Sequence, residues 1–163
     1  MDVDVRKFEN KRDMYAHLNA SLVQMLGESV DVVACLSNAS ALLGLFLEEI
    51  NWVGFYLMKN GMLILGPFQG KPAVMQIRPG EGVCGTAVKE RKIQRVDDVH
   101  TCANHIACDL ASSSEIVVPM MKDGEVWGVL DIDSPIVSRF DEEDASGLES
   151  FVTTLLPLLH PEA

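Results

Sequence analysis

The stretch WVGFYLMKNGMLIL, residues 52–65, predicts a β-hairpin near the middle of the chain. Trp52–Met58 is rich in aromatic and β-branched residues, and Met62–Leu65 is a second apolar run. Asn60-Gly61 lies between them, and an Asn-Gly pair between two such runs is a strong short-range hairpin signal. The sequence therefore predicts a sheet with at least one antiparallel pair of strands.

A second hairpin is predicted further along the chain. Glu115–Met121 and Val126–Ser134 flank the turn sequence Lys122-Asp123-Gly124-Glu125, which contains an Asp-Gly pair. Two shorter strands are expected at Val74–Ile77 and Gln94–Val96. The expected sheet is antiparallel and has about six strands.

Helices are predicted on both sides of this block of strands. They are expected at Val5–Leu26, Val32–Phe46, Gly85–Glu90 and from Asp141 to Leu156. Cys35 lies in the apolar stripe of the second helix, so its expected role is core packing. Terminal helices around central hairpins predict an α+β class, with a single domain over residues 1–163.

Composition narrows the possible partners. The chain has 163 residues and a net charge of −11, which disfavours binding to nucleic acid or to an anionic membrane. Residues Met1 to Asp13 are densely charged and contain no apolar signal region, and no apolar run is long enough to span a bilayer. We therefore expect a cytoplasmic protein, in which cysteines are more often catalytic, metal-bound or inert than paired.

The stretch from Asp97 to Ser114 has no periodicity, and loops of this length are often functional. It holds four potential metal ligands, which are His100, Cys102, His105 and Cys108. Their spacing does not match the common paired zinc knuckles, so no metal site is expected. Cys108 fits a reactive thiol better, because it lies in a loop rather than on an apolar face, although the adjacent Asp109 opposes thiolate formation.

Cys84 precedes a predicted helix in the segment Gly82-Val83-Cys84-Gly85. A helix N-terminus favours an anion, so a thiolate is one interpretation. A small buried residue at a tight turn is the other, and the local sequence leaves both open.

Acidic residues on the predicted strands suggest a binding site. Asp131 and Asp133 are two positions apart on one strand and must share a face of the sheet. Glu115 and Asp97 could reach the same region. Like charges on one face repel each other unless a cation binds there or one carboxyl group holds a proton. The cluster therefore suits a ligand with an ammonium group.

Trp52 and Tyr56 also share a face of their strand, since they are four positions apart. Aromatic side chains in this arrangement could wall a pocket for a small, partly apolar ligand. Core packing is the alternative interpretation for both residues.

Several motifs together resemble the GAF-domain free methionine-(R)-sulfoxide reductases. The resemblance runs from about residue 15 to residue 150. The motifs are residues 51–56 (NWVGFY), 65–71 (LGPFQGK), 82–87 (GVCGTA), 94–100 (QRVDDVH), 105–109 (HIACD), 114–117 (SEIV) and 128–134 (GVLDIDS). GAF domains that only sense a ligand lack the HIACD segment, so this resemblance points to the reductase branch.

The resemblance implies a role for each candidate residue. Cys108 falls on the catalytic cysteine of the family, which acts as the nucleophile, and Cys84 on a second cysteine used in disulfide resolution. Trp52 and Tyr56 fall on the aromatic wall around the sulfoxide. The acidic substrate pocket corresponds to Asp97, Glu115, Asp131 and Asp133.

One departure from the family pattern concerns the resolving thiol. Many members carry a cysteine where this chain has Val74, and that cysteine forms a disulfide with the nucleophile. Cys84 is then the first candidate, Cys102 the second, and an external thiol the third.

The expected function is reduction of free L-methionine-(R)-sulfoxide through a thiolate, a sulfenic acid and a disulfide. The expected proton donor is Glu115 or Asp133. No bound cofactor is expected; a dithiol of the thioredoxin type is expected to restore the enzyme, and the family suggests a homodimer. The alternative is a GAF module that senses a small molecule without chemistry.

Overall fold

The structure is a computed structural model that describes residues 3–5, 7–27, 31–101 and 111–159. The predictions for Cys102, His105 and Cys108 lie outside these residues. No helix in the described ranges has the length and apolar composition needed to cross a membrane.

Six antiparallel strands form one sheet, with four helices packed around it. The strands lie side by side in the order β3-β2-β1-β6-β5-β4. This architecture confirms the predicted α+β class. In chain order, the elements are α1 (Lys11–Leu26), α2 (Val32–Phe46), β1 (Trp52–Lys59), β2 (Met62–Gln69), β3 (Gln76–Ile77), α3 (Gly82–Glu90), β4 (Gln94–Val96), β5 (Ser114–Lys122), β6 (Glu125–Ser134) and α4 (Glu142–Leu158).

Both predicted hairpins are present. Asn60 and Gly61 have φ angles of 52° and 78°, and Asp123 and Gly124 have φ angles of 52° and 77°. Two consecutive positive φ angles define the tight turn whose twist matches that of the flanking strands. The Asn-Gly and Asp-Gly pairs therefore determine where the chain reverses between β1 and β2 and between β5 and β6.

The first helix begins later than its apolar pattern predicted. It starts at Lys11 rather than at Val5, because the Asn10 side chain accepts a hydrogen bond from the Asp13 backbone amide at 2.8 Å. Such a cap satisfies an amide that has no partner within the helix and so determines where the helix begins. The α3 helix differs in the opposite sense and begins at Gly82, three residues before the prediction.

The sheet has two apolar faces of unequal size. The larger, which we call the helix-side core, contains Ile116, Val118 and Leu130 together with buried residues of α1, α2 and α4. The smaller, which we call the α3-side cluster, contains Val117 and Val129 together with residues of α3. Successive residues of a strand point to opposite faces, so the same strands supply both.

A buried carboxylate connects the two terminal helices. Asp144 of α4 is fully buried and accepts hydrogen bonds from the Tyr15 hydroxyl at 2.7 Å and from Lys11 Nζ at 2.6 Å. Arg139 Nη1 donates to it at 3.3 Å, and the Asp144 side chain also accepts the backbone amide of Asp141 in a capping box. This charge is thus paired with two cations and bonded on several sides, as a buried charge must be.

Candidate active site

Strand pairing brings the predicted acidic residues together on the α3 side of the sheet. Asp133 of β6 pairs with Trp52 of β1 on one side and with Glu115 of β5 on the other. Asp131 lies one step further along β6, opposite Gly54 and Val117. The prediction that Asp131 and Asp133 share a face is confirmed by this register.

Three of the four predicted carboxylates are buried. Glu115 is 5% exposed, Asp131 is 3% exposed and Asp133 is 5% exposed. Asp97 differs: its side chain is exposed at the end of β4, and its backbone carbonyl accepts a hydrogen bond from the Ser138 amide at 2.8 Å. The structure therefore groups Glu115, Asp131 and Asp133, and leaves the Asp97 side chain in solvent.

Cys84 projects from the first turn of α3 towards this carboxylate group. Its thiol and the carboxylates of Glu115 and Asp131 have ligand atoms that all lie within 4.8 Å of one another. Burial, the nearby charges of Asp131, Glu115 and Asp133, and a hydrogen bond with Asp131 raise the pKa of Cys84 well above its usual value. Of the two sequence interpretations, this environment favours the neutral thiol over the thiolate, because desolvation and negative charge outweigh the helix N-terminus.

Burial and a neighbouring carboxylate perturb the pKa of Asp131. Desolvation, the charge of Glu115 and a hydrogen bond with Glu115 raise the pKa of Asp131 well above its usual value, and a hydrogen bond from Cys84 opposes the shift. Crowded carboxyl groups without a cation share protons in this way. The site can therefore hold a proton at neutral pH or accept a cationic group in its place.

The raised pKa of Asp131 predicts how stability depends on pH. The folded state holds this proton more tightly than the unfolded state, so its stabilising contribution is complete below about pH 4 and is lost as pH rises through the folded-state pKa. Asparagine does not titrate. We expect Asp131→Asn to gain about 1–3 kcal/mol of unfolding free energy relative to wild type between pH 4.5 and pH 8, measured by urea unfolding.

Asp98→Asn provides the contrasting control for this pH series. Hydrogen bonds from the backbone and ring of His100 lower the pKa of Asp98. The unfolding free energy of this variant, relative to wild type, should therefore not increase between pH 4.5 and pH 8. A stability difference between Asp131→Asn and wild type that stays constant across pH would contradict the prediction.

Aromatic rings line the same face next to the carboxylates. Trp52 stacks on Tyr56 with ring centroids 6.0 Å apart, and on Phe68 at 5.2 Å. The Trp52 indole nitrogen donates to the Lys71 carbonyl at 3.1 Å, which fixes the ring. Gly70 makes room for it, because a Cβ atom there would lie 2.5 Å from Trp52 Cδ1. Phe68 and Gly70 are site residues that the residue-by-residue analysis missed.

Val74 lies beside this aromatic wall. It is half-buried and packs against the α3-side cluster, and its carbonyl accepts a hydrogen bond from the Tyr56 hydroxyl at 2.8 Å. The Val74 position, where the resemblance predicts a cysteine in many family members, is thus held against the site by Tyr56. A valine there offers only apolar contact.

Only His100 of the four alternative zinc ligands lies in the described part of the chain. Its ring nitrogen Nδ1 and its backbone amide both contact Asp98 Oδ1, at 2.9 and 3.0 Å, and its side chain is 65% exposed.

Comparisons with known proteins identify the family of this chain. The GAF domain family matches residues 20–155, and the chain belongs to that family. Within it, the chain belongs with the free methionine-R-sulfoxide reductases. It is 48% identical over 150 residues to the enzyme of that name from Escherichia coli, covering 92% of this chain and 91% of the relative.

Other relatives extend the comparison. The free methionine-R-sulfoxide reductase of Saccharomyces cerevisiae is 43% identical over 148 residues, covering 86% of this chain and 82% of the relative. The predicted oxidoreductase class is confirmed by these named enzymes.

Solved structures match the fold closely. The fRMsr of Staphylococcus aureus in complex with substrate has a TM-score of 0.86 and 48% identity, covering 96% of this chain and 99% of that one. The free methionine-R-sulfoxide reductase of Neisseria meningitidis in complex with its substrate has a TM-score of 0.91 and 36% identity, covering 97% and 96%.

Proposed function

We propose that this chain reduces free methionine-(R)-sulfoxide to methionine, with Cys108 as the nucleophile. The observation that carries the proposal is the juxtaposition of three buried carboxylates with the ring of Trp52 on one face of the sheet. The carboxylates suit the ammonium group of a free amino acid, and the rings of Trp52 and Tyr56 suit its thioether end. The named reductases at 43–48% identity support the same substrate.

The chemical step needs a nucleophile and an acid together. In the proposed step the Cys108 thiolate attacks the sulfoxide sulfur while Glu115 or Asp133 protonates its oxygen. The sulfur–oxygen bond of the substrate breaks as the oxygen is transferred to the cysteine sulfur, so methionine leaves and Cys108 becomes a sulfenic acid. The cysteine sulfur loses two electrons, and the sulfoxide sulfur gains them.

The remaining acidic groups are assigned to binding. Asp131 and Asp97 are proposed to attract the ammonium group, Asp131 from within the buried cluster and Asp97 from the exposed end of β4. The substrate carboxylate needs backbone amide donors, for which the segment 112–114 is a candidate. The Ser113 amide already donates to the Ser134 carbonyl at 2.7 Å, so it is not a donor for that carboxylate.

Cys84 is the proposed resolving thiol. Its hydrogen bond with Asp131 gives the thiol proton an acceptor when the sulfur attacks the sulfenic acid. The condensation forms a disulfide between Cys84 and Cys108 and releases water. A dithiol protein of the thioredoxin type then exchanges with this disulfide and restores both thiols, so no bound cofactor is required. We further propose that the protein acts in the cytoplasm as a homodimer.

The direct test is methionine formation from the purified protein, free methionine-(R)-sulfoxide and dithiothreitol. We expect turnover with the R epimer and little with the S epimer. A folded, fully reduced protein that binds the sulfoxide without forming methionine would contradict the enzyme proposal and favour a sensing module.

The ammonium site predicts a preference for the free amino acid. N-acetylation of the substrate removes its positive charge and leaves the buried carboxylates without a cation, so kcat/KM should fall roughly 30- to 100-fold. The matched control is the methyl ester of methionine sulfoxide, which keeps the ammonium group and loses the carboxylate. Equal losses with both compounds would argue against a specific ammonium site.

A further inference from the structure

Three side chains from separate parts of the chain meet at one buried point. Cys84 comes from α3, Glu115 from β5 and Asp131 from β6, and they are 4%, 5% and 3% exposed. One ligand atom from each, the thiol sulfur and two carboxylate oxygens, lies within 4.8 Å of the other two. Among the described residues, this is the group of cysteine, histidine and acidic side chains close enough to share one metal ion.

Asp131 has an oxygen that no described residue contacts through a hydrogen bond. Asp131 Oδ1 is buried and makes no hydrogen bond to any described residue. Burying a carboxylate oxygen without a hydrogen bond costs free energy. The unpaired oxygen therefore indicates that a cationic ligand or a hydrogen-bond donor completes the site.

The electrostatic surroundings point in the same direction. Asp133 adds a third buried carboxylate beside Cys84. Among the described residues whose charges act on Cys84 or Asp131, every one is acidic. Three buried carboxyl groups are thus concentrated beside the Cys84 thiol.

The chemistry of the donors selects the type of cation. An ammonium group gains little from a sulfur atom, which is a weak hydrogen-bond acceptor. A thiolate with two carboxylate oxygens is a donor set that suits zinc and softer thiophilic ions, with water as a fourth ligand. Tetrahedral zinc geometry needs sulfur–oxygen separations of about 3.5 Å, so the three side chains would close by on the order of 1 Å.

We propose that Cys84, Glu115 and Asp131 form a binding site for a thiophilic divalent cation of the zinc and cadmium type. On binding, the Cys84 thiol releases its proton to solvent and a metal–sulfur bond forms, while the two carboxylates neutralise the remaining charge. The ion takes no part in the reduction, but it occupies the carboxylates proposed to hold the substrate ammonium group, so bound ion and bound substrate exclude each other.

Cadmium titration of the purified chain tests the site without any substrate. The starting protein is the Cys102→Ser/Cys108→Ser double variant, in which Cys35 and Cys84 are the remaining cysteines. We expect one cadmium ion per chain, with the ultraviolet charge-transfer band of a cadmium–thiolate bond. Adding Cys84→Ser should remove the band, whereas adding Cys35→Ala, at a cysteine buried in α2, should leave it unchanged.

The carboxylates are tested by variants that keep the thiol. Glu115→Gln and Asp131→Asn should each weaken cadmium binding at least tenfold while the band persists. Circular dichroism confirms that each variant is folded.

The proposal is overturned if the starting protein binds no cadmium, if the band survives Cys84→Ser, or if both carboxylate variants bind with unchanged affinity. Because these measurements involve neither sulfoxide nor reductant, they are independent of whether the chain is a reductase.

Discussion

Cys108→Ser is expected to abolish methionine formation, with a loss of at least about 10³-fold in kcat. Serine is a far weaker nucleophile towards sulfur at neutral pH, and its oxygen cannot form a sulfenic acid or a disulfide. The measurement is single-turnover methionine release from free methionine-(R)-sulfoxide, with the purified variant and no added reductant. One equivalent of methionine per chain is expected from wild type and none from the variant.

Cys35→Ser is the matched control for this experiment. Cys35 is buried in the helix-side core on α2, away from the carboxylates. This control should release methionine like wild type as long as it is folded. If Cys108→Ser retains a single turnover, another cysteine is the nucleophile and the role given to Cys108 is wrong.

Asp144→Ala is expected to lower the free energy of unfolding by about 3–5 kcal/mol. The carboxylate is fully buried, and its loss leaves Lys11, Arg139 and the Tyr15 hydroxyl without their shared acceptor. The change also removes one half of the capping box at the start of α4. Urea unfolding at pH 7, followed by far-ultraviolet circular dichroism, measures the difference.

Asp141→Ala separates the buried charge from the helix cap. Asp141 belongs to the same capping box and also contacts Lys11, at 2.9 Å, but its side chain is 55% exposed. Loss of this cap should cost about 1 kcal/mol. Equal effects of the two substitutions would mean that capping, rather than the buried ion pairs, accounts for the role of Asp144.

The strands could be predicted because their signals are local. The pairs Asn60-Gly61 and Asp123-Gly124 determine two chain reversals, and the alternation along β6 determines that Asp131 and Asp133 face the same way. Neither inference depends on distant parts of the chain. Helix boundaries were less accurate, since the start of α1 is determined by one hydrogen bond to Asn10 rather than by apolar spacing.

The role of Phe68 could not be predicted from the hairpin alone. Tyr56 pairs with Leu65, and the same register continued would put Phe68 opposite Val53, on the face of the helix-side core. A bulge between Gly54 and Tyr56 shifts the pairing, so Gly54 lies opposite Phe68. One extra residue reverses the face of every side chain beyond it, which is why Phe68 reaches Trp52.

The burial of the acidic residues was likewise beyond local reasoning. Asp97 and Glu115 have similar sequence surroundings at strand ends, yet one is exposed and the other is enclosed. The difference arises because β4 is an edge strand, whereas β5 lies between β4 and β6 and beneath α3. Only the strand order and the helix above it distinguish the two carboxylates.

The division of the sheet into two faces makes this chain a convenient scaffold for redesign. Ile116, Val118 and Leu130 pack against three helices, while the intervening residues of the same strands face the α3-side cluster. Alternate positions can therefore be altered in a library without touching the larger core. Exchanging Asp131 for another polar residue should yield a folded protein with a new ligand preference, because burial and the neighbouring charge of Glu115 oppose the charged form of this carboxyl group.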